Sequence, residues 1–290
     1  MSIQSIWVLN QTLQICETGC YIFDEQQVHL KLHQNEMKAA NVFLPEEIEM
    51  LQLPEDFSPL PPTSHCEITC ENRDSFSMAR MRDAQRTSDQ TKEVLVLNLA
   101  NPTHPGRGVR RGARAQEEEL CRASSLLLSL ESEEASRYYH FNRSLHTYMG
   151  SDAIIITPKV ELIRDEKGML LPETSVVSVM TCAAPCLTIG TMGLKPSGYE
   201  EMVYHRIVGM LKVAAACGYQ ELVLGAFGCG AFGNDAHIVS DLFARAIREF
   251  SIEGFHVDEL FRHIDFAVLC RNEISYNLRE FQRNFAHGIE

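Results

Sequence analysis

VLVLNLANPTHPGRG, Val94 to Gly108, is the stretch on which the fold turns. Its first half, Val94–Ala100, is an unbroken run of valine and leucine around a single asparagine, bounded by turn residues. A strand covered on only one face alternates apolar and polar side chains, so a continuous run of this length predicts a strand buried on both faces. The second half holds two prolines and two glycines and cannot continue any regular element. It predicts a loop leaving the carboxyl end of a central strand.

The same pattern recurs around it. Strands are expected at Cys66–Thr69, Asp152–Val160, Ser175–Ala184, Glu221–Phe227 and Ile264–Cys270, with helices at Asn72–Gln85, Gly198–Cys217 and Asp235–Phe250. Asp74 or Ser75 is placed near the cap of the first of these helices, and another helix starts between Arg114 and Gln116 and runs through EEELCRASSLLLSLES. Alternating strands and helices predict a three-layer α/β/α fold with a mixed central sheet. A helix from Ser2 to Thr18 and a strand near Gly19–Phe23 precede LPEDFSPLPPTSH, whose four prolines mark a joint. Residues 1–64 are therefore expected as an N-terminal extension packed on a core of residues 65–290.

Composition narrows the function. With 45% hydrophobic and 22% charged residues the chain has the balance of an ordinary globular protein. A net charge of −13 argues against bulk nucleic-acid binding, which needs clustered cations, but leaves room for a small anion held by helix N-termini and backbone N–H groups. MSIQSIWVLNQTLQICETG lacks the basic start and apolar run of a signal peptide, and no stretch is apolar enough to span a bilayer; a cytoplasmic protein with reduced thiols is expected. Cysteines four apart (Cys16 and Cys20, Cys66 and Cys70, Cys182 and Cys186) lack the tighter pairing and extra partners of a zinc site and are expected as buried thiols, with no metal and no cofactor.

A second loop, Gly225-Ala-Phe-Gly228-Cys229-Gly230-Ala231-Phe232-Gly233-Asn234-Asp235, follows another strong strand. Neither loop is GxxxxGK[ST]. Two glycine loops at strand ends in an open sheet nonetheless point to a phosphate-bearing ligand. After the first loop come Gln116-Glu117-Glu118-Glu119, at a helix start. Acids favour a first turn, but this turn is tethered so close to the loop that some of its side chains must face the strand ends. Neighbouring helix positions are about 100° apart, so the acids cannot all face one cleft; Glu119 is expected to be exposed and structural. A carboxyl beside a sugar can protonate a leaving group and then activate water.

Together these segments resemble the microbial poly(ADP-ribose) glycohydrolase family, a branch of the macrodomain fold. The resemblance rests on VLNLANPTHPGRGVRRGARAQEEELCR, on LGAFGCGAFGND (Leu224–Asp235), and on the flanks CENRDSF, TCAAP (Thr181–Pro185) and FAVLCR. It implies binding of ADP-ribose and hydrolysis of the bond joining it to poly(ADP-ribose) or to a modified protein. By position, Glu118 would be the acid/base and Glu117 would hold ribose hydroxyls. Asn101 would contact the distal ribose, Gly228, Cys229, Gly230 and Ala231 would cradle the diphosphate, and Phe232 would pack on the distal ribose. Gly106 and Gly108, with Arg107 between them and Gln116 beyond, complete the implied site. Arg107 stands where the family has a middle glycine, at a place that favours positive φ or close ligand contact. Its side chain either reaches out to pair with a diphosphate or an anionic polymer, or fills the site and weakens turnover. Two further readings are therefore kept: a reader that binds ADP-ribose without cleaving it, and a hydrolase restricted to mono-ADP-ribosyl groups. Trp7 is expected to pack, His104 and His140 to be ordinary surface or core residues, and Val109–Arg114 to be a solvated loop or an attractor of anionic substrate.

Overall fold

Val94 and Val96 pack into one layer of apolar side chains, and Leu95 and Leu97 into another. That alternation repeats in each neighbouring strand, so the sheet they share is covered on both faces. The computed structural model describes residues 3–86, 92–189, 193–270 and 275–286; Ser2, the expected start of the first helix, and Arg271 of the FAVLCR flank lie outside them.

The chain opens with α1 (Ile3–Thr18), a hairpin of β1 (Cys20–Phe23) and β2 (Gln26–His29), α2 (Gln34–Met37), β3 (Asn41–Phe43) and α3 (Pro45–Glu49). Past the proline loop come β4 (Glu67–Glu71), α4 (Ser75–Asp83) and β5 (Leu95–Leu99). A 3₁₀ turn at Val109–Arg111 leads to α5 (Gln116–Ala123), α6 (Leu126–Leu130) and α7 (Glu133–Ser144). The long pair β6 (Ile154–Arg164) and β7 (Leu170–Cys182) is followed by α8 (Tyr199–Ala216), β8 (Glu221–Leu224) and α9 (Ala236–Glu249). A short hairpin, β9 (Ser251–Ile252) and β10 (Phe255–His256), then α10 (Val257–Leu260), β11 (His263–Ala267) and α11 (Tyr276–Phe285) complete it.

The main sheet has seven strands in the order β3-β6-β7-β5-β8-β11-β4. From β7 to β4 the pairs are parallel, while β6 runs antiparallel to both β7 and β3. Helices α8, α9 and α11 cover the face carrying Leu95, Leu97, Leu222 and Phe266. Residues of α1, α4, α5, α6 and α7 cover the face carrying Val94, Val96, Val179 and Val223. The three-layer α/β fold with a mixed sheet is thus as the sequence indicates, and β5 lies at its centre with the carboxyl ends of β7 and β8 on either side.

Residues 41–43 supply the sheet's outermost strand by pairing with Ile154–Ile156, and buried Glu161 binds the preceding segment through the backbone N–H groups of Lys31 (2.6 Å) and Leu32 (2.8 Å). Several elements differ from expectation. The helix expected to run unbroken from Gln116 to Ser132 stops at Ala123, because Ser124 is extended and bridges to Leu162 of β6. Strands β6 and β7 extend past Val160 and start before Ser175, because the charged Glu161 and Arg164 are buried with hydrogen-bond partners, Glu161 accepting from Thr174 Oγ1 and Arg164 donating to Thr12 Oγ1. Helix α4 begins at Ser75, not Asn72, with Asp74 as its cap accepting from the N–H groups of Phe76 and Ser77. Trp7, expected to pack, is 59% exposed, on the side of α1 opposite Leu9 and Thr12. No disulfide forms among the described residues, and none of their helices is long and apolar enough to cross a membrane.

Candidate active site

The site begins with a side chain that imitates a strand. Gln116, the first residue of α5, accepts the Leu99 N–H at 2.8 Å and donates to Leu97 O at 2.7 Å, with a further bond to Ser75 Oγ at 3.2 Å. This pins the helix start to the exit of β5, so the next two residues are driven into the space above the strand ends. Glu117 and Glu118 are each only 2% exposed.

Glu118 occupies the third helical position and reaches back so that its Oε2 accepts the Ala115 N–H at 2.8 Å, one arm of a capping box. A structural glutamate does that much. What separates this one is its other oxygen, which accepts the Gly108 N–H at 3.2 Å and so joins the helix to the first glycine loop. A side chain at Gly108 would place its Cβ 2.7 Å from Ala113 Cβ and 3.4 Å from Glu118 Oε1, so the loop comes this close only because the residue is glycine.

Glu117 accepts the Asn101 N–H at 2.9 Å through Oε2, while its buried Oε1 has no hydrogen-bond partner among the described residues. Burial pushes its carboxyl up to about 8, the Asn101 N–H opposes the shift, and the neighbouring Glu118 adds to it. Glu119 behaves differently, as expected of a structural acid: half-exposed, it bridges Arg114 and Arg122. Those two arginines outweigh partial burial and hold its carboxyl below the usual range.

The second loop is held from below by Asn234. Its Nδ2 donates to Pro185 O (2.8 Å) and Gly228 O (3.0 Å), and its Oδ1 accepts from Tyr199 Oη (2.6 Å). Gly228 has φ +75°, and a Cβ there would lie 2.3 Å from Asn234 Nδ2 and 2.5 Å from Ala184 Cβ. Only glycine fits. From α11, Asn277 donates to Cys229 O at 3.2 Å, and Tyr276 Oη donates to Asp235, the cap of α9.

A cavity of about 350 Å³ lies between the loops. Of the residues expected from sequence, Asn101, Arg107, Gln116, Glu117, Glu118, Gly228, Gly230, Ala231 and Phe232 line it. Gly106, Gly108 and Cys229 do not. Gly106 packs inward, where a Cβ would meet Leu127 at 2.8 Å, and Gly108 acts through its N–H on Glu118. Cys229 turns toward Phe227 O at 3.6 Å, and burial pushes its thiol up to about 12, which removes it as a nucleophile. Within the cleft, Asn101 commits its Oδ1 to the loop, accepting from Thr103 and His104 N–H groups, and the amide of Gln116 is engaged with β5. Sequence reasoning passed over Tyr199, Asn234 and Asn277, which support the second loop without touching the cleft, and the lining residues Arg114, Ala184, Ala226 and Phe227. Asn234 had a signal, its place in the second motif; the others depend on contacts between distant segments.

His104 and His140 lie outside the cavity lining and are exposed. In the basic tract, Arg110 pairs with Glu131 at 2.6 Å and Arg114 with Glu119 at 2.9 Å. Among the described residues no group of three or more His, Cys, Asp or Glu is arranged to hold a metal ion.

Comparison with known proteins places this geometry. No curated protein sequence matches the chain. Among solved structures, it is similar to poly(ADP-ribose) glycohydrolase from Thermomonospora curvata bound to the inhibitor ADP-HPD, at 29% identity over 98% of this chain and 100% of that one, with a TM-score of 0.83. It is also similar to the Deinococcus radiodurans poly(ADP-ribose) glycohydrolase in complex with ADP-ribose, at 31% identity over 86% and 96% of the two chains, with a TM-score of 0.72. The family model for the microbial-type PARG catalytic domain matches residues 10–165, which contain the first glycine loop and both cleft glutamates. With more than half of its length matched in this way, the chain belongs to the microbial-type PARG catalytic-domain family and is a glycosidase-type hydrolase.

Proposed function

We propose that the cleft binds a terminal ADP-ribose unit of poly(ADP-ribose) and hydrolyses the glycosidic bond that joins it to the chain, with Glu118 as the acid and base. The observation that carries this reading is the placement of Glu118: buried, lining the cleft between two glycine loops, and fixed at both oxygens by backbone N–H groups. Solved relatives hold ADP-ribose or ADP-HPD, which supports the ligand class.

In this account the diphosphate lies between the loops, cradled by Gly228, Gly230 and Ala231, and the distal ribose rests near Phe232 and Asn101. Glu118 gives its proton to the leaving oxygen as the bond from the anomeric carbon breaks, with charge spread over an oxocarbenium-like state. A water then adds to that carbon and returns a proton to Glu118. Glu117, whose carboxyl is pushed up to about 8, carries a proton near neutral pH and lines the cleft beside the place given to the ribose hydroxyls. Preorganisation does much of the work, since the cleft is built around groups that need not reorient during the reaction.

Glu118→Gln keeps the shape and one of the two backbone contacts, with its single oxygen accepting the Gly108 N–H, but sets an amide NH2 against the Ala115 N–H and removes the transferable proton. It should lower release of ADP-ribose from labelled polymer by at least about 10³-fold while ADP-ribose binding, read by calorimetry, persists. Undiminished release would contradict the role of Glu118. Assays on polymer beside proteins modified singly on Arg, Ser or Glu separate a polymer hydrolase from a mono-ADP-ribosyl hydrolase, and binding with no release from any substrate would identify a reader.

A further inference from the structure

Arg107 is a costly residue in its position. It has φ +41°, directly after Gly106 at φ +57°, a backbone conformation that favours glycine. Its side chain does not drift into solvent from there. The guanidinium carbon stands 5.6 Å from the centroid of the Phe232 ring, so the first loop touches the second across the cleft that both line.

Charge makes the contact informative. The cations lining the cleft are Arg107 and Arg114, and Arg114 is tied to Glu119 at 2.9 Å. No carboxylate among the described residues pairs with Arg107. The chain carries a net charge of −13, and two carboxyl groups, Glu117 and Glu118, stand in the same cleft. An entering diphosphate therefore meets a wall with acids on it and one uncommitted cation. The Phe232 ring is buried while Arg107 is exposed, and a guanidinium resting on a ring is held less firmly than a planar fork of donors on phosphate oxygens, which forms short, charge-assisted hydrogen bonds.

We propose that Arg107 is a diphosphate-operated latch: in the unliganded protein it rests on Phe232 and bridges the cleft, and an entering diphosphate exchanges the ring for its own oxygens. The proposal rests on the reading of this cleft as an ADP-ribose site and deepens it by naming the residue that selects for the diphosphate. The arginine replaces loop flexibility with a charge, which raises affinity for pyrophosphate-bearing ligands and makes that affinity sensitive to salt.

The test is titration calorimetry with ADP-ribose over a range of salt concentrations, on the wild-type protein, Arg107→Gln and Arg107→Gly, with thermal unfolding of each. Both variants should bind ADP-ribose about tenfold or more weakly than wild type and lose less of that affinity as salt rises. Arg107→Gly should unfold no more readily than wild type, because glycine accepts φ +41° without strain. Equal or tighter binding by the variants would overturn the latch and make Arg107 an obstruction. Weaker binding with unchanged salt dependence, or with a clear fall in thermal stability of Arg107→Gly, would also overturn it, since either outcome marks a structural role. Failure of the wild-type protein itself to bind ADP-ribose would instead overturn the reading of the cleft, and the latch with it.

Discussion

The Gly108 N–H and Glu118 Oε1 are joined by a 3.2 Å hydrogen bond, so the first glycine loop and the acid of the following helix are positioned as one unit. The loop is therefore more than a cover for the ligand. It fixes the carboxyl that acts on it.

Gly108→Ala tests that coupling. Gly108 has φ −102°, which alanine adopts freely, so the effect is steric alone. The new Cβ would lie 2.7 Å from Ala113 Cβ and must displace the loop. Steady-state kinetics on polymer should show kcat falling by roughly 10- to 100-fold with KM changed far less, because the displaced group acts mainly in the transition state. A change confined to KM would show that the loop serves binding only.

Glu117 gives the folded protein a pH signature. Its carboxyl is pushed up from 4.5 to about 8 by burial in the cleft floor. Between those values the folded protein holds a proton that the unfolded chain has released. This contribution to stability is full below about 4.5 and is lost as pH rises through about 8. Denaturant unfolding from pH 5 to 8 should show a stability decline of up to ~1.4 kcal/mol per pH unit from this group, and Glu117→Gln should flatten it. Parallel slopes in the two proteins would place the titration elsewhere.

The two glycines of the second loop should part company. Gly228→Ala forces a Cβ to within 2.3 Å of Asn234 Nδ2 and 2.5 Å of Ala184 Cβ, at φ +75°. It should destabilise the protein by roughly 2–4 kcal/mol and abolish ADP-ribose binding. A Cβ at Gly230 meets nothing within 4 Å, so Gly230→Ala should leave stability within about 0.5 kcal/mol of wild type and weaken only ligand binding. Equal destabilisation by both, in thermal or denaturant unfolding, would contradict this division.

Much of this was legible in the chain, and for identifiable reasons. The run Val94–Ala100 reads as a doubly buried strand because both of its faces really are covered, by the layers that hold Leu95 and Val96. Glycine loops and the Gln116–Glu118 turn are local signals, and local signals survive in a sequence. What stayed hidden is set by distant partners. Strand β3 is three residues long and exists by pairing with β6. Ser124 ends α5 by bridging to Leu162, although nothing in LCRASSLLLSL marks a break. Gln116 looks like a ligand residue, yet its amide is spent on Leu97 and Leu99, a use visible only once helix and strand are side by side. The support of the second loop by Tyr199 and Asn277 likewise links segments far apart in the chain.

A crystal structure of the Glu118→Gln protein with ADP-ribose tests the account most directly. The diphosphate should lie between Gly106–Gly108 and Gly228–Phe232, and the carboxamide at position 118 should stand within about 3 Å of the oxygen on the anomeric carbon of the distal ribose. A nucleotide bound outside this cleft, or a residue 118 side chain turned away from that carbon, would contradict it.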